Sequence, residues 1–149
     1  MFKPFGKTFA LIALSAATLT ACKKDKDETM TVSAENLVGT YTLTAIKEKI
    51  GDDDEVNTTS DYIEDCQKDD EIILKSNMTY TYNDAGTECE PSKDDSGDWE
   101  FDADTKGVYI VQLNVDGEVE KFTSSELIIR EYFDQGGFKY SKRYFFNRK

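Results

Sequence analysis

The sequence contains no histidine, only two prolines and three cysteines, and few basic residues for its acidic content. Without histidine, catalytic triads and zinc sites that depend on an imidazole are excluded. The 149 residues carry 18 Lys and Arg against 30 Asp and Glu, which gives a formal net charge of −12. A nucleic-acid-binding protein would show a basic footprint instead. The length fits one domain, and no nucleic-acid partner is expected.

The longest apolar stretch lies near the N-terminus. Two lysines precede an apolar run over residues 9–17, and small residues follow up to Cys22. This order predicts a secretory signal peptide over residues 1–21 and not a membrane span. The segment that ends at Cys22 resembles the lipobox of bacterial lipoproteins. The resemblance implies that Cys22 is the lipidated first residue of the mature protein and its membrane anchor.

A charged tether follows the predicted anchor. Residues 22–32 contain few apolar side chains, so they predict a flexible linker between the membrane and a folded domain. The tract Lys23–Glu28 resembles the export tract of Bacteroidota lipoproteins, which implies an outer-membrane lipoprotein exposed at the cell surface. A generic spacer, with the protein facing the periplasm, is the alternative interpretation.

Two cysteines remain after lipidation of Cys22. Cys66 and Cys89 would lie in an oxidising compartment, where two remaining thiols most simply form a disulfide. The alternative is a reactive or metal-binding thiol, which requires basic neighbours that stabilise the thiolate. Both cysteines instead have acidic neighbours in the sequence. The pattern therefore favours a Cys66–Cys89 disulfide.

Residues 33–149 read as short alternating strands with turn residues between them. In the first strand Tyr41, Leu43 and Ala45 are predicted to share one face. Hairpin signals such as Asp116-Gly117 join successive strands. We predict an all-β domain, an eight-stranded antiparallel up-and-down barrel that closes to remove its edges. The predicted strands cover residues 38–48, 71–76, 78–83, 97–102, 107–114, 118–123, 126–133 and 138–147.

Several segments of residues 33–149 together resemble the lipocalin-like domain of Bacteroidota lipoproteins. They are a turn over 33–37 that leads into Gly39, Cys66 before the second strand, the Gly97–Trp99 segment and an aromatic last strand. The resemblance implies a lipocalin-like barrel. Tyr41 stands where lipocalins have a Trp, so neither Arg143 nor Arg148 is assigned to the Trp–Arg stacking that closes those barrels.

Acidic residues concentrate at one end of the predicted barrel. Residues 48–104 hold 20 acidic and four basic side chains, a net charge of −16. In a meander every second connection shares an end, which places Cys66, Cys89 and much of this acid together. We define the acidic rim as a candidate surface for a basic partner: Asp52, Asp53, Asp54, Asp69 and Asp70. Solvated loops or loosely bound calcium are the alternatives.

Aromatic residues are predicted to face the barrel interior by alternation. The candidates for contact with a small hydrophobic ligand are Tyr80, Tyr82, Trp99, Tyr109 and Tyr140. They either line a ligand cavity or fill the barrel. We expect a packed core with any ligand site at the rim, because an eight-stranded barrel is only just wide enough for side chains.

Three functions fit these observations. The first is a non-enzymatic envelope lipoprotein whose barrel mouth binds a small apolar or amphiphilic ligand. The second is a protein-interaction module, similar to membrane-bound lysozyme inhibitors, whose acidic rim attracts a basic protein. The third is a glycosidase with paired carboxylates, which the sequence supports least. We expect no enzyme activity, no cofactor, no metal site and a monomer.

The predicted anchor gives a direct test. Cys22→Ser removes the thiol that would be acylated, so we expect the protein to leave the membrane fraction or to remain unprocessed. Fractionation followed by detergent phase partitioning measures this, with Cys66→Ser as the control that retains the anchor. Unchanged partitioning of the Cys22→Ser protein would contradict the prediction.

Overall fold

Eight strands close into an antiparallel barrel in the computed structural model, which describes residues 28–111 and 113–149. The predicted signal peptide, Cys22 and the tether up to residue 27 lie outside the described residues. The strands are β1 (Gly39–Ile50), β2 (Val56–Asn57), β3 (Glu71–Leu74), β4 (Thr79–Asn83), β5 (Asp95–Asp102), β6 (Gly107–Ile110), β7 (Val115–Phe122), β8 (Glu126–Gln135) and β9 (Phe138–Arg148).

Within residues 28–111 and 113–149, helical structure is confined to short segments. They are α1 (Ala34–Leu37), α2 (Thr59–Tyr62) and a 3-10 turn over Asp65–Gln67. The predicted capped turn before the first strand is α1, where the Ser33 hydroxyl accepts a hydrogen bond from the Asn36 amide at 3.2 Å. Among the described residues, no helix has the length and apolar character needed to cross a membrane.

The strand order follows the chain. From β3 to β9 each strand pairs with the next, β1 pairs with β3 on one side and β9 on the other, and β2 extends the outer edge of β1. The predicted eight-stranded up-and-down barrel is therefore confirmed, formed by β1 and β3–β9. We call the end that carries α1 and the turns after β3, β5 and β7 the closed end, and the opposite end the open end.

A β-bulge divides β1 into two halves with different phases. Leu43 pairs with Phe146 and Ala45 pairs with Phe145, which leaves Thr44 as the extra residue. The predicted common face of Tyr41, Leu43 and Ala45 is therefore wrong at Ala45. Beyond the bulge Ile46 takes the inward position instead, with 3% of its surface exposed. A single extra residue produces this reversal because side chains alternate along a strand.

The predicted orientation of Tyr109 is also wrong. Val108 and Ile110 of β6 point into the core, so Tyr109 lies on the outer surface with 38% of its area exposed. Residues 108–111 are apolar in both alternating phases, and the sequence pattern therefore did not determine which phase faces inward. The strand ends at Ile110, and Val111 lies in the following turn and is exposed.

Large side chains fill the closed-end half of the barrel. Tyr41, Tyr80 and Trp99 are almost completely buried. Leu37 of α1 is also buried, at the closed end of the barrel. The Trp99 indole donates a hydrogen bond to the Lys75 carbonyl at 3.1 Å, and the Tyr41 hydroxyl donates to the Leu37 carbonyl at 2.8 Å. Satisfied polar groups of this kind permit aromatic side chains to be buried at little cost.

Arg148 closes this end of the barrel. Its guanidinium lies 5.2 Å from the Phe122 ring centre and donates to the Asn36 and Val38 carbonyls at 3.1 and 3.0 Å. A Cβ atom at Gly39 would lie 3.1 Å from the Arg148 side chain, which explains the glycine at the entry to β1. Arg148 thus makes a cation–π contact with Phe122, while Arg143 pairs outside the barrel with Glu55 and Glu120.

The contacts of Arg148 predict a large effect on stability. Arg148→Met keeps most of the apolar stem but removes the charged hydrogen bonds to two carbonyls, so we expect a loss of about 2 kcal/mol in the free energy of unfolding. Urea denaturation followed by tryptophan fluorescence measures this. The control is Arg130→Met, at an exposed position on β8, which we expect to change stability by less than about 0.5 kcal/mol. Equal effects of the two substitutions would contradict the assignment.

Candidate functional site

Unequal strand lengths leave space at the open end. The adjacent strands β1, β8 and β9 have 10–12 residues, whereas β3, β4 and β6 have four or five. One wall of the barrel is therefore tall and the opposite wall is low. The strand β1 pairs with β3 only over Gly39–Tyr41, and beyond Tyr41 it separates from that neighbour.

The segment between β1 and β3 covers this separation. The Thr59 hydroxyl of α2 accepts a hydrogen bond from the Ile46 amide at 2.8 Å, and the Thr58 amide donates to the Ile46 carbonyl at 2.9 Å. The helix α2 therefore satisfies backbone groups of β1 that lack a strand partner on this side. It also positions Tyr62 at the barrel mouth.

The separation encloses a cavity of about 370 Å³ at the open end. It is lined by apolar side chains together with polar groups, which is the usual composition of a small-molecule site. The apolar lining residues are Leu43, Ile46, Ile63, Ile72, Leu113, Val115 and Phe146. The polar and aromatic lining residues are Tyr62, Gln67, Asp70, Tyr82, Lys93, Asp95, Asn114, Lys142 and Tyr144.

A disulfide joins two loops at the cavity mouth. Cys66 in the 3-10 turn is bonded to Cys89 in the β4–β5 connection, with Cα atoms 5.2 Å apart, so the predicted pairing is confirmed. Both loops lie at the open end, as the meander topology predicts. The bond holds together two sides of the opening through which a ligand would pass.

Carboxylates of the same loops accept hydrogen bonds from neighbouring groups. Asp70 accepts from the Tyr82 hydroxyl at 2.7 Å and from the Ala85 amide at 3.1 Å. Burial raises the pKa of Asp70 although these bonds favour its ionised form. Asp84 accepts from the Lys93 and Cys89 amides at 2.7 and 3.0 Å, and these bonds hold its pKa below the usual range.

Three charged side chains form a row on the inward face of the tall wall. Lys142 of β9 pairs in register with Glu48 of β1 on one side and Glu131 of β8 on the other. Glu131 is 5% exposed, and burial raises its pKa. For Glu48, burial opposes ionisation, but hydrogen bonding with Tyr140 and Tyr62 and the nearby positive charge of Lys142 together outweigh that effect and lower the pKa.

Aromatic rings surround the ammonium group of this row. The Lys142 Nζ atom lies 3.4 Å from the ring centre of Tyr62 and 5.2 Å from that of Tyr144. The Tyr62 hydroxyl also donates to Glu48. Cation–π attraction between Lys142 and Tyr62 therefore holds α2 against the tall wall.

The predicted ligand contacts are dispersed in the structure. Tyr82 lines the cavity, whereas Tyr80 and Trp99 are buried below it in the packed half. Tyr140 packs against Phe133 above the charged row, and Tyr109 lies on the outer surface. The structure thus brings one of the five predicted residues to the cavity wall. A packed core and a cavity, which the sequence left as alternatives, occupy opposite ends of the same barrel.

The acidic rim is divided as well. Asp52, Asp53 and Asp54 are exposed in the turn after β1. Asp69 accepts a hydrogen bond from the Thr87 amide at 3.0 Å, and Asp70 is buried. The exposed part of the acidic rim is therefore smaller than the sequence predicted. Two of its members contribute to the structure of the mouth loops.

Lys142, Tyr62 and Ile46 were missed as site residues by the sequence interpretation. The alternation along β9 that places Tyr140, Tyr144 and Phe146 inward also places Lys142 inward. A lysine among inward aromatic residues was therefore an available signal. Tyr62 is in a loop segment and Ile46 follows a bulge, and neither position can be read from alternation.

Two groups of described residues bring three potential metal ligands close together. One combines Glu64, Cys66 and Cys89, and the other combines Asp70, Asp84 and Cys89. Each group depends on a cysteine of the disulfide, and a disulfide sulfur lacks the thiolate that binds metals. These groups therefore do not define a metal centre.

A closed eight-stranded barrel with a cavity at one end defines a lipocalin-type architecture. The chain belongs to the lipocalin-like domain family, because the family model described as a lipocalin-like domain matches residues 37–129. The match ends within β8, so the rest of β8 and all of β9, including Lys142 and Tyr144, lie beyond it. No curated protein and no solved structure matches the chain significantly.

The disulfide predicts a measurable contribution to stability. Its two cysteines are 23 residues apart in the sequence, and closing such a loop contributes about 3 kcal/mol in the chain-entropy model. Reduction should therefore lower the free energy of unfolding by about that amount in urea denaturation. In the control, Cys66→Ala/Cys89→Ala, the reductant should have no further effect. Equal stability of the oxidised and reduced protein would contradict the expected contribution.

Proposed function

We propose that this protein is a non-enzymatic lipoprotein of a bacterial cell envelope that binds a small amphiphilic or apolar ligand in its open-end cavity. The observation that carries the proposal is the cavity itself, whose wall combines apolar and polar side chains. Family membership supports ligand binding by the barrel. A volume of about 370 Å³ lies within the range of small-molecule sites.

The composition of the cavity supports an amphiphile. Its deep wall is formed by side chains such as Ile46, Ile72 and Phe146, whose burial against an apolar ligand is favourable. The mouth carries Gln67, Lys142 and other polar groups that remain near solvent. A ligand with an apolar body and a polar end matches both parts of the site.

The hydrogen-bonded carboxylates support a non-enzymatic role. Asp70 accepts from Tyr82 and a backbone amide, and Glu131 accepts from the Asp116 amide at 2.8 Å. Carboxylates with such partners stabilise the loops and the tall wall. Their arrangement supports a binding barrel rather than a hydrolase with paired acid–base groups.

The direction in which the cavity opens supports a surface-anchored binding protein. The Met30 amide donates to the Phe122 carbonyl at 2.9 Å, and Thr29 forms a bridge with Thr123, both at the closed end. A lipid on Cys22 would therefore hold the closed end near the membrane and leave the mouth facing away from it. We propose an outer-membrane location with the mouth exposed at the cell surface; a periplasm-facing anchor is the alternative.

Binding of a basic protein is the second candidate function. Asp52, Asp53 and Asp54 are exposed together on the turn that follows β1. Such a cluster would steer a basic partner toward the open end at low salt. Asp69 is exposed but accepts a hydrogen bond from the Thr87 amide, and Asp70 is buried, so this candidate depends mainly on Asp52, Asp53 and Asp54.

A neutral fluorescent probe tests the cavity. N-phenyl-1-naphthylamine should bind the mature chain, residues 22–149, carrying Cys22→Ser so that no detergent is required. Leu113→Trp places a large side chain at the cavity wall, so we expect probe affinity to fall by about tenfold or more, equivalent to 1.4 kcal/mol. The measurement is a fluorescence titration.

The matched control variant has its substitution in the same turn as Leu113, between β6 and β7. Val111 is exposed, so Val111→Trp adds an equal ring outside the cavity and should leave probe affinity unchanged. Thermal denaturation verifies that both variants are folded. Absence of probe binding by the unsubstituted protein, or equal affinities of the two tryptophan variants, would contradict the proposed function.

A further inference from the structure

The strand β8 has a free edge toward the open end of the barrel. Its pairing with β7 ends at Glu118 and Arg130, whereas its pairing with β9 continues to Gln135 and Phe138. Within the part of the chain that the structure describes, no strand pairs with the β7 side of residues 131–135. We call this side of residues 131–135 the free edge. An edge of this kind offers unpaired backbone donors and acceptors to another chain.

The backbone groups at the free edge belong to Tyr132 and Asp134. The Lys139 carbonyl accepts a hydrogen bond from the turn after β1, so the backbone groups of Lys139 are directed toward β1. This direction alternates along an antiparallel strand, so those of Tyr140 are directed toward β8 and those of its partner Phe133 toward β9. Tyr132 and Asp134 therefore direct their amides and carbonyls away from β9, toward the free edge.

Two features keep β7 from covering the free edge. The Asp116 amide, which would face Tyr132 in a continued ladder, donates instead to the Glu131 carboxylate at 2.8 Å. A Cβ atom at Gly117 would lie 2.5 Å from the Arg130 carbonyl oxygen, so the two backbones approach closely there only because residue 117 is glycine. Beyond this contact the Glu131 side chain takes the place of a backbone partner, and the edge of β8 is left free.

A groove of about 810 Å³ lies on the outer surface beside the free edge. Aromatic rings form part of its wall: Tyr109, Tyr132 and Phe133 are 38%, 55% and 46% exposed. Asp116 and Glu118 also line the groove, are exposed, and form no ion pair within 4.0 Å among the described residues. Aromatic ring faces and carboxylates both attract cations.

The charge of the groove distinguishes between possible partners. Its lining contains four carboxylates, those of Asp116, Glu118, Glu120 and Glu131, and the guanidinium of Arg130. A second copy of the chain would bring the same negative groups to the edge, so charge disfavours pairing of β8 with itself. A segment with basic side chains is favoured for the same reason.

We propose that the free edge binds an extended segment of a partner protein in which basic and apolar residues alternate, added as an antiparallel strand beside Tyr132 and Asp134. Antiparallel pairing is slightly the more stable per residue. Side chains on the Tyr132 face of such a strand would lie near Asp116 and Glu118, where basic residues are favoured. The alternate side chains would lie on the face of Phe133, where apolar residues are favoured.

The free edge is distinct from the two sites already described. Asp52, Asp53 and Asp54 lie in the turn after β1, and β9 separates β1 from β8. Tyr132 and Asp134 are not among the residues that line the cavity. The inference therefore goes beyond the proposed function and does not depend on what the cavity binds.

A synthetic peptide that alternates lysine with valine tests strand addition. The peptide carries a fluorescent label, and its anisotropy is followed as the mature chain carrying Cys22→Ser is added. We expect saturable binding. A peptide that alternates glutamate with valine should bind more weakly by about tenfold or more, because its charges repel the carboxylates of the groove.

Two N-methylated forms of the lysine–valine peptide separate backbone pairing from charge attraction alone. In the proposed arrangement the lysines direct their N–H groups toward β8, because their side chains share the face of Tyr132. N-methylation at the lysines should therefore weaken binding by about tenfold, whereas N-methylation at the valines should have little effect. Both forms carry the same charge, so charge attraction alone predicts equal affinities.

One pair of protein variants tests the edge from the other side. Asp134→Pro removes an N–H group that faces the free edge, a substitution that edge strands tolerate, and should weaken peptide binding by about tenfold. Asp134→Asn removes the same charge, retains the N–H group and should have a smaller effect. Thermal denaturation verifies that both variants are folded.

A second pair tests the carboxylates of the groove. Asp116→Asn/Glu118→Gln should weaken peptide binding by about fivefold, as expected for two exposed ion pairs. Asp52→Asn/Asp53→Asn removes the same charge from the acidic rim and should leave the affinity nearly unchanged.

The outcomes decide between the surfaces. Absence of binding by the lysine–valine peptide, or equal affinities of its two N-methylated forms, overturns strand addition; this comparison requires no protein variant at the edge. Equal effects of Asp134→Pro and Asp134→Asn overturn it as well. If Asp52→Asn/Asp53→Asn weakens binding and Asp116→Asn/Glu118→Gln does not, the peptide binds the acidic rim, and the inference is overturned in favour of the second candidate function. Binding of the neutral probe by the cavity is a separate measurement, so the proposed function stands or fails independently.

Discussion

The pairing of the first strand with the last is the interaction on which the rest of the structure depends. The strands β1 and β9 are registered through nine residue pairs, from Tyr41 with Arg148 to Ile50 with Tyr140. Without this contact the sheet would expose two long edges with unpaired backbone groups. The pairing also brings the two ends of the folded domain together, which allows Arg148 to reach the Asn36 and Val38 carbonyls at the end of α1.

The same pairing explains why the barrel has a cavity at one end. The longest strands are adjacent at the seam, and β3, β4 and β6 are much shorter. Beyond Tyr41 the strand β1 therefore separates from β3, and the two-residue β2 pairs with it at Lys47 and Glu48. The helix α2 satisfies the backbone groups of Ile46 that lack a strand partner, but it does not fill the interior as large core side chains would. The packed core at the closed end and the cavity at the open end thus both follow from the unequal strand lengths of one barrel.

Much of the fold was predictable from sequence because alternation and turn residues determine strands locally. The eight predicted runs correspond to β1 and β3–β9, and topology correctly placed Cys66 and Cys89 at the same end. The cavity was less predictable, because it depends on where strands stop pairing. Ile46 lies beyond a bulge and Tyr62 lies on a four-residue helix, and neither position follows from a period of two.

Alternation also fails where apolar residues occupy both phases. Tyr109 follows Val108 and precedes Ile110, so the local pattern permits either orientation. Burial of the two smaller aliphatic side chains decided the phase, and that depends on the residues facing them across the barrel. The sequence was similarly insufficient for the acidic rim. Composition identifies Asp69 and Asp70 as acidic loop residues, but it does not show that they accept hydrogen bonds from neighbouring groups.

The bulge at Thr44 gives the two ends of the barrel separate evolutionary constraints. Below it, Tyr41 belongs to the packed half that maintains stability. Above it, Ile46 and Glu48 belong to the binding half, in an alternation that restarts at the bulge. Substitutions that change ligand preference can therefore accumulate above Thr44 without repacking the closed end. Deletion of that one residue would turn every later inward side chain of β1 outward, so natural variation should favour substitutions over length changes at this point of the strand.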